Sequence, residues 1–236
     1  MSIGLPVVAF VGPPGSGKST QAELFAQASE RGSESSVIAS VPALLRQDVV
    51  LLPRLRPSER KAIDALRDEA EEQASVGLLM PAGLDRVLLD VVERISATRP
   101  VLLDGLPRGV QQARMLLDSV LSARLTVIHL ELPGDVQAAS MRRQRQRALG
   151  RQTSLDPTAL RRMAGKVRTY QDETLPGLTL LRHAGVPVCA CDAEAPPAET
   201  AERVRQHLAG RGVRALPMQD TPLSVSSRTE VLLRCS

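Results

Sequence analysis

Apolar residues fall in short bursts separated by polar or glycine-rich turns, and the bursts alternate between two periods. Leu5–Val11 is continuous, valine-rich and ends at Gly12, the layout of a central parallel strand covered on both faces. In Lys18–Arg31 the residues Ala22, Phe25, Ala26 and Ala28 recur at helical spacing before Gly32 stops the run. Ser33–Ser36 reads as a loop and Val37–Ser40 as a short strand. Ala43–Leu52 is apolar with Arg46 and Asp48 embedded, and Pro53 and Pro57 interrupt the chain after it. Ser58 can cap a helix to about Ser75, with Ala62, Ile63, Leu66 and Ala70 along one stripe. Gly77 ends it, and Pro81 opens another helix with Leu84, Leu88, Val91 and Ile95 on one face.

The alternation continues. Val101–Leu103 is a strand running into Asp104, and Val110–Leu121 is a helix. Leu125–Leu132 is a strand, with His129 inside it as a structural residue. Pro133–Arg147 is a helix of rising positive charge, Leu149–Pro157 a polar break and Thr158–His183 a long helical stretch. Val186–Cys191 is a last strand and Ala198–Leu208 a closing helix. Strands alternating with helices predict an α/β fold, a doubly wound parallel sheet of about five strands between two helical layers. Ala209–Ser236 departs from this rhythm, with Gly210, Gly212, Pro217 and Pro222, and is expected to be a poorly ordered tail.

Candidate chemistry starts where the first strand stops. Gly12-Pro13-Pro14-Gly15-Ser16-Gly17-Lys18-Ser19-Thr20 joins that strand to the first helix. This is the G-x-x-x-x-G-K-[ST] pattern of a P-loop. Glycines let the backbone approach an anion and turn several N–H groups toward it at a helix N-terminus. Lys18 can reach the β- and γ-phosphates, and Ser19 or Thr20 can place a hydroxyl on Mg²⁺. Asp104, at the carboxyl end of a strand, suits a second oxygen donor beside that metal.

Composition narrows the reading. Aromatic residues make up 1% of the chain, so the core is aliphatic and little surface remains for stacking bases. Lys and Arg number 30 against 26 Asp and Glu, and arginines cluster at 142–151. The cluster favours a pocket that collects polyphosphate over nucleic-acid or membrane contact. The cysteines are Cys189, Cys191 and Cys235, an odd number that points to a reducing compartment. Cys189 and Cys191 are two apart in a strand and read as buried small hydrophobes, so no zinc site is expected. Met1–Pro6 is too short for a secretory leader, and no apolar run approaches a membrane span. The expectation is a cytoplasmic monomer.

One further stretch makes the pattern specific. Asp104-Gly105-Leu106-Pro107-Arg108, followed by Gln112-Ala113, resembles the D-G-F-P-R-x-x-x-Q-A segment of the adenylate kinase family. That family also carries G-P-P-G-x-G-K-G-T, similar to residues 12–20. Gly77-Leu78-Leu79-Met80-Pro81 resembles its G-x-L-V-P segment, and Tyr170, Thr174 and Pro176 its Y-x-x-x-T-x-P segment. The resemblance covers about residues 5 to 208. It implies reversible phosphoryl transfer from Mg·ATP to a nucleoside monophosphate, usually AMP. It divides residues 1–208 into a P-loop kinase core, an acceptor-binding helical insert at about 37–80 and a short lid at about 142–157.

The resemblance also implies roles. Gly12, Pro13, Gly15, Ser16, Gly17, Lys18, Ser19 and Thr20 would hold ATP, with Arg143 and Arg147 from the lid side. Arg46, Leu79, Met80, Gly105, Arg108 and Gln112 would hold the acceptor, Arg108 on its phosphate and Gln112 on its base. Lys18, Arg108, Lys166 and Arg151 would serve the transfer, and Ser19 and Asp104 the Mg²⁺. The chain departs from the family at Val41-Pro42-Ala43, where the family has Thr-Gly-Asp. Ser140 falls near the position of an adenine-stacking arginine, with Arg142 or Arg143 close by to replace it. Of the lid's paired aspartates only Asp156 remains. These departures leave two alternatives: a kinase for another nucleoside monophosphate, or an ATP-binding protein with weak or no kinase activity.

Overall fold

The computed structural model describes residues 5–28, 36–46, 51–150 and 156–209. Among them the strands β1 (Val7–Val11), β2 (Val37–Ala39), β3 (Val101–Asp104), β4 (Leu125–Glu131) and β5 (Val188–Asp192) form one sheet. Its order is β2-β3-β1-β4-β5 and every pairing is parallel. Val7 of β1 lies between Val101 of β3 and Leu125 of β4. The chain leaves β1 toward β2 and leaves β3 toward β4, in opposite directions. A crevice therefore opens between the carboxyl ends of β1 and β3, the place where such sheets bind ligands.

All five residues of β1 are buried, because both faces of the sheet are covered. On one face Val7, Ala9, Leu103 and Val127 pack with Leu84 and Leu88 of α5 (Ala82–Ser96), Leu116 of α6 (Val110–Asp118) and Leu178 of α9 (Leu175–His183). On the other, Phe10, Leu102 and Ile128 pack with Phe25 of α1 (Lys18–Ala28) and Val204 of α10 (Pro197–Ala209). Phe10 and Phe25 bring their ring centroids to 5.7 Å, a tilted pair within an otherwise aliphatic core. The result is the predicted three-layer α/β fold. Both described cysteines, Cys189 and Cys191, are buried and free. No helix among the described residues is long and apolar enough to cross a membrane.

Several expected boundaries move, each for a local reason. The apolar stretch after β2 forms α2 (Val41–Leu45), because the Ser40 hydroxyl accepts from the Ala43 N–H at 3.2 Å. Such a cap is worth ~1 kcal/mol. The helix expected from Ser58 to Ser75 is two helices, α3 (Pro57–Ala65) and α4 (Arg67–Val76), broken at Leu66. Ser58 does not cap the first. Instead Glu59 accepts from the Arg56 N–H at 2.7 Å, and its carboxylate also meets Arg94 at 2.8 Å. That second contact is tertiary and left no local mark.

The expected helix from Pro133 starts later, as α7 (Val136–Gly150), after Asp135 Oδ1 accepts from the Gln137 and Ala138 N–H groups. The long stretch from Thr158 is α8 (Pro157–Thr169) and α9 joined by a wider turn over Tyr170–Thr174. Asp156 caps α8. Gly165 of α8 packs on the Val76 carbonyl at the end of α4, where an added methyl would collide. Thr169 of α8 donates to the Gly77 carbonyl at 3.1 Å, so α4 and α8 are closely joined. Arg151, the lid residues 151–155 and the tail from 210 onward lie outside the described residues.

Candidate active site

The loop between β1 and α1 wraps around its own lysine. Lys18 Nζ donates to the Gly12 and Pro13 carbonyls, both at 2.8 Å, and approaches Ser16 Oγ at 3.4 Å. The loop packs directly on the sheet, since Gly12 sits against the Leu130 carbonyl of β4 so closely that any Cβ would strike it. Burial pulls the Lys18 ammonium down to about 7, with the positive charge of Arg108 adding to the effect and Asp104 opposing it. A cation held at this cost is strongly stabilised by an arriving anion.

Across the crevice, β3 delivers Asp104. Its Oδ2 accepts from the Ser19 hydroxyl at 2.7 Å. A hydroxyl and a carboxylate side by side form a hard-oxygen donor set that fits Mg²⁺, which keeps most of its waters and takes few protein ligands. The turn after Asp104 contains a cis Leu106–Pro107 bond and returns Arg108 toward β3, where Nε donates to the Gly105 carbonyl at 2.9 Å. Thr174 donates to the Arg108 carbonyl at 2.7 Å and ties this turn to the segment after α8.

Three cavities meet along this crevice. A central one of about 190 Å³ is lined by Gly12, Lys18, Arg108, Lys166 and Tyr170, among others. Lys18, Arg108 and Lys166 thus converge from three elements on one space. Burial also lowers Lys166, with Arg108 and Arg162 contributing. A second cavity of about 370 Å³ lies between the loop, α7 and the β5–α10 connection, lined by Gly15, Gly17, Thr20, Arg143, Arg147 and Pro197. It shares Gly15 with the central cavity. A third, of about 10 Å³, is enclosed by Val41, Pro42, Met80, Asp85 and Gln112, and shares Gly105 and Arg108 with the central one.

The predicted residues mostly gather here. Of the two arginines near Ser140, Arg143 turns toward the loop. Its guanidinium donates to the Gly15 carbonyl at 3.3 Å, whereas Arg142 turns to Glu194 at 2.6 Å. Ser140 is fully buried under the loop and lines none of the three cavities. Leu79 packs near Gly109, and Met80 lines the third cavity. Arg46 is exposed at the end of α2 and lines none of the three. Asp156 is engaged in capping, its Oδ1 accepting from the Ala159 N–H at 2.6 Å.

His129 takes the structural place expected of it within β4. His129 Nε2 pairs with the Tyr170 hydroxyl at 2.8 Å, and its Nδ1 lies 3.0 Å from Glu131 Oε1 without the alignment of a hydrogen bond. Burial first, then Arg182 and Lys18, lowers His129 to about 4, so it is neutral. It holds Tyr170 at the wall of the central cavity. Asp85 was missed by sequence reasoning; it is 3% exposed on the apolar face of α5 and bonded to Gln112 at 2.8 Å. An acidic residue three and four positions before Leu88 and Leu89, both buried, was the available signal.

Comparison with known proteins decides the family. Over 178 residues the chain is 33% identical to an adenylate kinase of Mycolicibacterium paratuberculosis, covering 74% of this chain and 85% of that one. The chain belongs to the adenylate kinase family. An adenylate kinase of Mycolicibacterium smegmatis is 32% identical, with the same shares covered. One from Corynebacterium aurimucosum is 29% identical over 83% of this chain and 95% of its own. No family model matches the chain. Among solved structures, a gluconokinase from Sinorhizobium meliloti 1021 matches with a TM-score of 0.55 and 19% identity, over 87% of this chain and 93% of that one. This likeness shows the fold, that of a P-loop kinase. The protein is a P-loop phosphotransferase.

Proposed function

We propose that the protein transfers the γ-phosphoryl group of Mg·ATP reversibly to a nucleoside monophosphate, AMP first among them. The observation that carries this reading is the chain of three cavities. The larger outer one suits the nucleoside of ATP, the smaller outer one the edge of the acceptor base, and the central one the phosphates between them. Phosphoryl transfer needs alignment and charge neutralisation rather than a covalent intermediate. Lys18, Arg108 and Lys166 supply three cations around the space the transferred group crosses. The loop N–H groups and the α1 N-terminus hold the β- and γ-phosphates, and Arg143 and Arg147 line the nucleoside side. Arg108 grips the acceptor phosphate through a planar fork. Ser19 and Asp104 hold Mg²⁺, which neutralises charge on the phosphates when bound.

A second reading is a kinase for another monophosphate. Val41 and Pro42 line the acceptor end, and Gln112 is engaged with Asp85, so that end differs from the family pattern. A coupled assay with AMP, CMP, UMP and GMP separates the two. Turnover greatest with AMP is expected. Turnover greatest with another monophosphate supports the second reading, and ATP binding without turnover contradicts both.

A further inference from the structure

The smallest cavity holds an unanswered hydrogen bond. Asp85 and Gln112 are 3% and 5% exposed. Gln112 Oε1 accepts from the Arg108 N–H at 2.5 Å, and Nε2 donates to Asp85 Oδ2 at 2.8 Å. Asp85 Oδ1 is buried and has no partner among the described residues. A carboxylate oxygen without a donor in such a place costs free energy. The groups across from it, Val41, Pro42 and Met80, offer no side-chain donor.

The remaining valences define a pattern. The side-chain amide of a glutamine has two N–H donors, and only one of Gln112's is engaged with Asp85. The pair therefore presents one acceptor, Asp85 Oδ1, beside one donor, the second N–H of Gln112. The cavity, about 10 Å³, has room for one polar group rather than a ring. What enters is the edge of a base, with the ring lying across the mouth.

Resting on the kinase reading above, we propose that Asp85 is the specificity-determining residue of the acceptor site. With Gln112 it selects a base edge that carries an amino donor beside an unprotonated ring nitrogen. The amino group donates to Asp85 Oδ1 and the ring nitrogen accepts from Gln112. AMP and CMP present that edge. IMP, GMP and UMP present the reverse, a carbonyl beside a ring N–H, which sets oxygen against carboxylate. Gln112 alone could not make this selection, because its oxygen is already committed to the Arg108 N–H.

The test compares kcat/KM for AMP and IMP in the full-length protein and in Asp85→Asn, with thermal melting as the check on folding. Asparagine turns an N–H toward the cavity in place of an acceptor. The AMP-to-IMP ratio is expected to fall on the order of 100-fold, with the KM for ATP unchanged. An unchanged ratio in a folded D85N variant overturns the role of Asp85 and leaves the kinase reading standing. Absence of turnover with every monophosphate in the unaltered protein overturns the kinase reading and this inference with it. The unaltered protein also tests the inference without any variant. AMP and CMP are expected to exceed IMP and UMP, and a preference for IMP or GMP overturns it.

Discussion

The two ends of the crevice are built on different principles. The end proposed for ATP is built of backbone: loop carbonyls around Lys18, N–H groups at the start of α1, and a glycine pressed on Leu130. The end proposed for the acceptor is built of a few side chains, Asp85, Arg108 and Gln112, bonded in a row. Backbone cradles recognise charge, which all nucleoside triphosphates share. Side-chain pairs recognise edges, which differ from base to base. A family can keep the first and alter the second without changing its reaction.

The largest expected break is at the hub of the ATP end. Lys18→Met should lower kcat on the order of 1000-fold, measured with ATP and AMP at saturation. Near-normal turnover would remove Lys18 from the transfer. Arg108→Ala should cost about 100-fold or more in kcat/KM for AMP while ATP still raises the melting temperature. Loss of the ATP-induced rise would place Arg108 at the wrong end. Lys166→Ala is expected to cost about tenfold, less than Arg108, since an ammonium offers no planar fork.

Smaller effects sharpen the contrast. Lys18 loses its proton near pH 7 in the empty site, and polyphosphate favours the charged form. ATP binding at pH 8 should therefore take up as much as about one proton, seen by calorimetry in buffers of different ionisation enthalpy. Binding with no proton uptake would contradict the buried-lysine account.

The last effect concerns stability. Burial raises Asp85 to about 6 from an unfolded value of 3.8, with Gln112 and Arg108 opposing. Well below pH 3.8 both states are protonated and Asp85 costs nothing. Between 3.8 and about 6 the unfolded carboxyl ionises while the folded one stays protonated, and the cost grows. Above 6 it is fully present, at most ~3 kcal/mol. Asp85→Asn should thus stabilise the protein at pH 7.5 and lose that advantage near pH 4, in melting curves at both values. Equal melting temperatures at pH 7.5 would mean that the carboxylate is not strained.

The P-loop was readable in the sequence because its signals are local. Glycines, a lysine and a hydroxyl within residues 12–20 follow an apolar strand, and the backbone does the rest. The parallel sheet was readable for the same reason, from runs such as Leu5–Val11 and Leu125–Leu132. The acceptor end was only half readable. Arg108 and Gln112 stood in a motif, but the Asp85–Gln112 bond joins positions 27 apart, across two helices. The ion pair that holds Glu59 was hidden in the same way, since Arg94 reaches it from 35 positions away. Arg46 also stood in a motif, and it lies exposed at the end of α2, outside the three cavities.

The most direct test of the account is a coupled assay for ADP with Mg·ATP alone and with AMP, CMP, UMP or GMP. The account predicts turnover with AMP well above the ATP-only rate and weaker turnover with UMP and GMP. No turnover with any of the four, while ATP still raises the melting temperature, would contradict it and leave a nucleotide-binding protein on a kinase scaffold.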